Sequence, residues 1–477
     1  MTATELPIEG LPVWAHLNDV GFANVKVTES DGKGYGVVCQ KKLSIQDDTI
    51  DKPALLSVPH ALVLNYGAVE EYAKEDRNFR QLLEAVGHRS TRADILLFLL
   101  VQTALASRPQ NTSIGVSNPW TEYLRFLPRD LLVPTLWNED ERLLLRGTSL
   151  DVAINAKMSA LIAEFDAVQS SSSDIPAWNE FLWENRTVTF RDWVRLDALY
   201  RSRCLELPRS GESMVPCIDM INHSAKPTAY YDENTKDEVV LLARPGASLD
   251  EGQEVTISYG EKSAAEMLFS YGFIDPESTI ESLVLPLQPF EDDPLAKAKL
   301  VGFGEAPRVH LERDSSGSIT WKCPFAHLMC VNEEDGLEFR VLQDTEGGRQ
   351  LRIFWQEDDV TERVKDFESL LESHPLRALF RLRAVIVVQE CLQTQLEHAR
   401  SYADVSDPGD VRPECLAAAQ TLRTAEARLL ESGIEALEKE RTSLLEDEAV
   451  VAYLGSMETT DGGQGDQEPT EETEDFS

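Results

Sequence analysis

The side chains best suited to chemistry lie at the ends of apolar segments. The apolar run 214–221 predicts a strand and ends in the polar pair Asn222–His223. Tyr259 closes a run of β-branched residues, and Tyr271 follows a short helical pattern. An amide both donates and accepts hydrogen bonds, and a tyrosine combines an apolar ring with a polar hydroxyl. The sequence therefore predicts that these side chains converge on one buried polar pocket.

Each of these residues also has a plain structural explanation. An Asn-His pair after a strand is typical of a turn with a surface histidine. Tyr271 is equally well explained as a core aromatic with a hydrated hydroxyl. A nucleophilic hydrolase that uses Cys217 or Cys204 with His223 is disfavoured, because no orienting partner or nucleophile motif accompanies them.

A glycine-rich segment lies near the start of the chain. Residues 31–36 read D-G-K-G-Y-G and precede the strand-like V-V-C. Alternating glycines allow a tight turn and a close approach of the backbone to a ligand. Taken alone, the segment predicts a hairpin turn. A phosphate-binding loop is disfavoured, because no helix signal follows directly.

Three strings occur in a fixed order, namely D-x-x-N-H-S at 219–224, I-S-Y-G at 257–260 and S-Y-G-F at 270–273. Together they resemble the SET-domain protein lysine methyltransferases, in particular the subgroup built like plant Rubisco large-subunit methyltransferase. The resemblance is detailed over residues 34–273 and architectural elsewhere. It implies S-adenosyl-L-methionine as the cofactor and methyl transfer to a lysine nitrogen, with histidine methylation as a rarer activity of the fold.

The resemblance also implies roles for individual residues. The cofactor-binding residues would be Lys33, Gly34, Tyr35, Ser202, Arg203, Asn222, His223 and Tyr259. Tyr259 would be the catalytic residue, and the substrate-binding residues would be Arg203, Asp219 and Tyr271. Without the resemblance, Arg203 is as well explained by a helix C-terminus.

The chain departs from the family pattern at two of its positions. The family often has an acidic or small residue where Lys33 stands, and its Rubisco enzyme has a second substrate-contacting arginine near the position of Leu207. The second departure indicates a different substrate surface.

The predicted fold class is α+β, with a SET β-fold split by a helical insertion and followed by a mainly helical domain that resembles the substrate-binding domain of the subgroup. The predicted boundaries are 20–60 for the first part of the SET domain, 61–195 for the insertion, 196–280 for the catalytic part, 281–455 for the helical C-terminal domain and 456–477 for a disordered acidic tail. Within the insertion, the pattern P-W-x-x-Y-L-x-x-L-P at 119–128 predicts aromatic core packing.

Composition limits which kinds of partner and which cellular compartment are expected. The chain has 477 residues and a net charge of −38, which argues against direct nucleic-acid binding and is compatible with a basic protein substrate. Seven scattered cysteines without a C-x-x-C pair indicate reduced thiols and no structural metal. No apolar run is long enough to span a membrane and no signal peptide is evident, so a cytoplasmic location is expected, with the nucleus as a further compartment.

Two functions from different classes follow from the sequence. The first is a protein-lysine N-methyltransferase that acts on a non-histone protein, such as a ribosomal protein or an elongation factor. The alternative is a catalytically silent SET-fold protein-interaction platform, since a fold alone does not guarantee activity. Binding of S-adenosylhomocysteine distinguishes them.

Overall fold

The computed structural model describes residues 5–30, 32–44, 54–107, 114–184, 187–343, 348–402 and 409–461. Contacts divide the chain into a first unit, Met1–Ile280 with Val405–Leu422, and a second unit, Glu281–Asp404 with Arg423–Ser477. Both units combine helices with antiparallel strands, so the predicted α+β class is confirmed.

Short antiparallel sheets form the β-part of the first unit. Its strands are β1 (Gly21–Phe22), β2 (Val25–Ser30), β3 (Gly34–Cys39), β4 (Leu43–Ser44), β5 (Ala54–Pro59), β6 (Cys204–Leu207), β7 (Gly211–Met214), β8 (Ala229–Glu233), β9 (Glu238–Ala243), β10 (Ser248–Leu249) and β11 (Glu254–Val255). They pair in the orders β1-β5-β9-β8, β11-β3-β2, β10-β4 and β6-β7. Strands from both sides of the long helical region therefore pair with each other.

The glycine-rich segment forms the hairpin between β2 and β3. The N–H of Lys33 donates to the carbonyl of Ser30 at 3.0 Å, and Ser30 is paired with Gly34. Val37 on β3 is fully buried in the core. On the other side of β3, Glu254 of β11 is paired with Val38. The hairpin prediction is thus confirmed, and β3 places the glycine turn beside β11.

Helices fill the long interval between β5 and β6. The helices of the first unit are α1 (Leu11–Leu17), α2 (Tyr66–Glu75), α3 (Arg77–Val86), α4 (Thr91–Ala106), α5 (Pro119–Tyr123), α6 (Glu139–Leu143), α7 (Ser149–Ser173), α8 (Pro176–Trp178), α9 (Phe190–Arg203) and α10 (Ala264–Tyr271). Seven consecutive residues of α4, from Ile95 to Val101, are buried, which makes it the central helix of the unit. The side chain of Asp197 on α9 joins Arg92 of α4, Lys157 of α7 and Arg201 through ion pairs.

The predicted strand at 214–221 is wrong. Strand β7 ends at Met214, and Ile218–Met220 forms a 3-10 turn. Pro216 offers no N–H to a ladder, and Cys217 has a positive φ of 68°. The segment is buried although it is not a strand, because its apolar side chains pack into the core.

The second unit has its own core of strands and long helices. Its strands are β12 (Ser282–Pro286), β13 (Arg308–Arg313), β14 (Ile319–Lys322), β15 (Leu337–Gln343), β16 (Arg349–Trp355) and β17 (Asp358–Asp359), and they form two sheets in the orders β12-β13-β14 and β15-β16-β17. The remaining helices are α11 (Ala296–Phe303), α12 (Pro324–Met329), α13 (Phe367–Leu371), α14 (Arg377–Ser401), α15 (Pro413–Leu445) and α16 (Glu448–Asp461).

The domain boundaries from the sequence stay predictions. Two features of the structure concern them. The first unit ends at Ile280 but also includes Val405–Leu422, so the start of α15 groups with residues outside the predicted C-terminal domain. Helix α16 runs to Asp461, so it extends into the first residues of the predicted tail. The rest of the predicted acidic tail, 462–477, lies outside the described residues.

Candidate active site

A cleft of about 540 Å³ in the first unit brings the predicted site residues together. Its lining includes every residue that the sequence singled out for the site, namely Lys33, Gly34, Tyr35, Ser202, Arg203, Asp219, Asn222, His223, Tyr259 and Tyr271. These side chains come from the β2–β3 hairpin, the end of α9, the segment after β7, the segment after β11 and the end of α10. Segments far apart in sequence thus converge on one cavity, as the sequence predicted.

The amide of Asn222 is held by a residue that the sequence analysis missed. Its Nδ2 donates to Oε1 of Glu254 at 2.7 Å and to the backbone carbonyl of Tyr35 at 3.3 Å. The other oxygen of Glu254, Oε2, lies 3.1 Å from Nζ of Lys33, and Ser30 Oγ lies 3.4 Å from Oε1. We call Ser30, Lys33, Asn222 and Glu254 the polar cluster.

Gly36 leaves the space in which the polar cluster assembles. A Cβ at this position would lie 2.5 Å from Oε1 of Glu254 and 2.8 Å from Nδ2 of Asn222. Both distances are well below van der Waals contact, so any larger residue would displace these groups. The third glycine of the segment is therefore required by packing against the site, in addition to the turn.

The imidazole of His223 has fixed partners. Its Nδ1 accepts the backbone N–H of Tyr259 at 3.0 Å, and Nε2 lies 3.3 Å from Oδ2 of Asp275. Burial lowers the pKa of His223, while Asp275 acts in the opposite direction. With Nδ1 as an acceptor, the neutral ring carries its proton on Nε2. The ring therefore holds the backbone N–H of Tyr259 in place. Because its Nδ1 lone pair is already used, the ring is poorly placed to act as a general base.

Aromatic rings line another part of the cleft. The ring centroids of Tyr259 and Tyr271 are 4.5 Å apart, and those of His223 and Tyr259 are 5.2 Å apart. Phe273, a residue that the sequence analysis did not single out, lies 6.3 Å from His223 and 6.4 Å from Tyr271. We call His223, Tyr259, Tyr271 and Phe273 the aromatic cluster.

The hydroxyl of Tyr259 is neutral and oriented. It donates to the carbonyl of Ile221 at 2.7 Å, so its oxygen keeps lone pairs for an acceptor role in the cleft. Burial raises the pKa of Tyr259 well above its usual range, and burial raises that of Tyr271 to about 12. Both phenols therefore stay protonated near neutral pH, and neither is a base.

Gly272 allows the aromatic cluster to approach the opposite wall of the cleft. It has a φ of 83°, and a Cβ on it would lie 2.7 Å from the backbone carbon of Leu132. A side chain at this position would be strained and would also clash with backbone. This close contact fixes Tyr271 and Phe273, the two neighbours of Gly272, against the segment 125–132.

Arg203, which is partly buried, and Asp219, which is buried, form a pair in the lining of the cleft. The guanidinium Nη1 of Arg203 donates to the backbone carbonyl of Asp219 at 2.6 Å and lies 3.8 Å from its Oδ2. Burial raises the pKa of Asp219 to about 6, although Arg203 opposes this shift. The carboxyl of Asp219 also accepts the hydroxyl proton of Tyr123, and that hydroxyl accepts the N–H of Cys217 at 2.7 Å.

Tyr123 is the second residue near the cleft, after Glu254, whose contacts the sequence analysis missed. The pattern at 119–128 indicated only core packing for it. Its side chain is fully buried, and its hydroxyl joins two points of the 215–221 segment. Because that segment leads directly into Asn222, Tyr123 helps to position the polar cluster. The sequence signal was an aromatic in the pattern at 119–128, but the pattern does not reveal the partner of its hydroxyl.

Ser202 lines the cleft with its hydroxyl proton already engaged. Its Oγ donates to the carbonyl of Ala198 at 2.8 Å, one turn earlier on α9. The side chain can therefore act toward a ligand only as an acceptor.

The segment 125–132 forms a wall of the cleft, and the sequence analysis had assigned its first four residues to core packing. Its residues line the cleft on one side, and Arg125, Leu127, Arg129, Asp130 and Leu131 also line a second cavity of about 500 Å³. None of the predicted site residues lines this second cavity.

The cysteines do not support the hydrolase alternative. All seven are free thiols. Burial raises the pKa of Cys204 to about 11 and that of Cys217 well above its usual range. Neither thiol is therefore an activated thiolate at neutral pH.

Two further observations concern the described residues alone. No group of three or more His, Cys, Asp or Glu side chains in the described part of the chain is arranged to hold a metal ion. None of the described helices combines the length and hydrophobicity that a membrane-spanning helix requires.

Comparison with known proteins identifies the family. The SET domain-containing protein 8 of Schizosaccharomyces pombe is 30% identical over 412 residues, which cover 84% of this chain and 89% of the relative. The chain belongs to the SET-domain family of protein lysine methyltransferases. No protein-family model matches it.

Two other similarities agree with this SET-domain assignment. The ribosomal lysine N-methyltransferase set10 of the same yeast is 23% identical over 256 residues, or 52% of this chain and 42% of the relative. A solved structure of the Rubisco enzyme LSMT bound to AdoMet matches with a TM-score of 0.66 at 20% identity, and covers 97% of this chain and 98% of that one. The structural match shows that the fold is shared.

Proposed function

We propose that this chain is an S-adenosylmethionine-dependent protein-lysine N-methyltransferase that acts on a non-histone protein. The observation that carries the proposal is the position of Tyr259, whose hydroxyl is anchored on the carbonyl of Ile221, next to Asn222, while its ring packs on Tyr271. Tyr259 thus lies between the polar Asn222 and the aromatic ring of Tyr271 in the same cleft.

The residues present fit the cofactor. Oδ1 of Asn222 accepts no hydrogen bond from any described residue, so it is available to the amino group of the methionine moiety. The backbone N–H and carbonyl of His223 are likewise without partners in the described chain and can bind the adenine. S-Adenosylmethionine, when bound, supplies an electrophilic methyl group on its sulfonium.

The protein's own contribution is to orient a neutral lysine amine. The rings of Tyr259, Tyr271 and Phe273 offer an apolar surface for the lysine side chain, which favours loss of the ammonium proton by desolvation. Because Tyr259 stays protonated, its oxygen acts as an acceptor that orients the amine and takes no proton, and water carries the proton away. Orientation of the reactants is then the main source of the rate.

For the substrate we propose a basic protein of the translation machinery, with a ribosomal protein first and an elongation factor second. The yeast relative named as a ribosomal lysine N-methyltransferase supports this choice. A net charge of −38 adds long-range attraction for a basic partner and opposes direct binding to nucleic acid. We place the reaction in the cytoplasm, with the nucleus as a further compartment.

A methyl-transfer assay on cell extract tests the proposal. The intact protein, the Asn222→Ala variant and the control variant Asn155→Ala are each given cofactor with a labelled methyl group, and labelled residues are located by mass spectrometry. Asn155 is exposed on α7, where its side chain is hydrogen-bonded to Asp151, so its loss should leave activity intact.

A labelled lysine with the intact protein and the control, but not with Asn222→Ala, supports the proposal and names the substrate. Label on a histidine would correct the target residue. If no label appears and S-adenosylhomocysteine does not raise the Tm of the intact protein, the enzyme proposal is wrong and the silent platform takes its place.

A further inference from the structure

Glu254 lies directly behind Asn222, outside the set of residues that line the cleft. Each of its carboxylate oxygens has a different partner. Oε1 accepts the Asn222 amide at 2.7 Å, and Oε2 is paired with Lys33 at 3.1 Å. The strand pairing of β11 with β3, which sets Glu254 opposite Val38, brings the carboxylate to this position.

These contacts decide which way the Asn222 amide faces. Its nitrogen has two hydrogens, and both are used, one by Glu254 and one by the carbonyl of Tyr35. A carboxylate and a carbonyl can only accept, so a flipped amide would place its oxygen 2.7 Å from another oxygen with no proton between them. The flipped state is therefore strongly disfavoured, and only Oδ1 is left to meet a ligand.

We infer that Glu254 is a positioning residue that locks the Asn222 amide with its acceptor toward the cleft and thereby selects ligands that carry a protonated amine. The inference rests on the proposed function, in which that amine is the α-ammonium of S-adenosylmethionine. Glu254 adds a negative charge behind the acceptor, which strengthens a hydrogen bond from a cation. Lys33 offsets part of this charge, but it is exposed and well hydrated, so its effect is small.

A pair of ligands separates this role from a merely structural one. Dissociation constants are measured by calorimetry for S-adenosylhomocysteine and for its analogue in which hydrogen replaces the α-amino group. The proteins are the intact chain, Glu254→Met and the control Glu251→Met, whose glutamate is exposed. We expect Glu254→Met to weaken S-adenosylhomocysteine about tenfold and the deaminated analogue less than about twofold, since one charged hydrogen bond is affected. The control should bind both ligands as the intact chain does.

A rescue experiment keeps the inference testable if Glu254→Met does not fold. Asn222→Asp places two carboxylates against each other and should weaken S-adenosylhomocysteine by more than about tenfold. Adding Glu254→Gln restores a donor opposite the introduced carboxylate, so the double variant should bind more tightly than Asn222→Asp alone.

The inference is overturned if Glu254→Met weakens both ligands equally, if it weakens neither, or if Glu254→Gln worsens Asn222→Asp. Those results leave the proposed function intact as long as the unmodified protein binds S-adenosylhomocysteine and transfers methyl groups. Failure of the unmodified protein to bind S-adenosylhomocysteine overturns both.

Discussion

The polar cluster and the aromatic cluster border one cleft but are built from opposite chemistry. In the polar cluster, the charged carboxylate of Glu254, itself paired with Lys33, holds the neutral amide of Asn222 through a short hydrogen bond. In the aromatic cluster, burial keeps both Tyr259 and Tyr271 protonated, and ring packing replaces ion pairing. The polar side suits the charged end of a small cofactor, and the aromatic side suits a long apolar stem with an amine at its tip.

Two adjacent residues belong to different clusters, Asn222 to the polar cluster and His223 to the aromatic cluster. Asn222 and His223 are neighbours in sequence, and an isolated bridge pairs His223 with Ile257 in extended backbone. Successive side chains of an extended chain point in opposite directions, so one joins Glu254 and the other joins Tyr259. Two consecutive residues thus supply one anchor to each cluster, and this is the physical reason for the Asn-His pair.

The largest expected effect is on the aromatic side alone. Tyr259→Phe removes the oxygen that we propose to orient the amine but keeps the ring, so we expect kcat to fall about 10²- to 10³-fold. The dissociation constant for S-adenosylhomocysteine should change less than about twofold, because the polar cluster is untouched. Steady-state kinetics and calorimetry measure the two quantities, with Tyr402→Phe as the control. Equal losses in kcat and in affinity would show that the two clusters are not independent.

The next effect concerns pH. The ordinary pKa of a lysine ammonium is about 10.4, so below that value the neutral fraction of the substrate rises about tenfold per pH unit. The pKa of Tyr259 is raised, so the phenol does not ionise in the same range and adds no falling limb. We expect kcat/KM to rise from pH 7 to about pH 9 without a decline caused by the enzyme. A fall in this range, while circular dichroism shows the protein still folded, would contradict a neutral Tyr259.

The smallest expected effect is on the rim of the polar cluster. The side chain of Lys33 is 57% exposed, and exposed ion pairs contribute little. We therefore expect Lys33→Met to change the dissociation constant of S-adenosylhomocysteine less than about threefold, against about tenfold for Glu254→Met. A larger effect of Lys33→Met than of Glu254→Met would mean that the lysine itself holds the cofactor.

The sequence predicted the residues that line the candidate cleft because they lie in short strings with a recognisable order. Asn222, Tyr259 and Tyr271 stand next to glycine, serine or histidine in patterns that identify them without knowledge of the fold. Helix α15 was likewise predicted with the bounds Pro413–Leu445, because its apolar period and flanking proline are local signals.

The residues that the sequence did not predict contact the candidate site from distant segments of the chain. Glu254 matters because the register of β11 with β3 brings it to Asn222, and no local pattern specifies that register. Tyr123 matters because its hydroxyl meets a segment almost a hundred residues later. The run 214–221 was predicted as a strand because it is apolar, but Pro216 and the positive φ of Cys217 exclude a regular ladder.

A crystal structure with S-adenosylhomocysteine and a lysine-containing peptide would show whether the polar cluster holds the cofactor and the aromatic cluster holds the lysine. We expect the amino group of S-adenosylhomocysteine about 3 Å from Oδ1 of Asn222, and the lysine stem against Tyr259 and Tyr271. The lysine nitrogen and the sulfur should then point at each other beside the Tyr259 hydroxyl. Cofactor bound instead in the second cavity, behind the wall at 125–132, would contradict this division of roles between the two clusters.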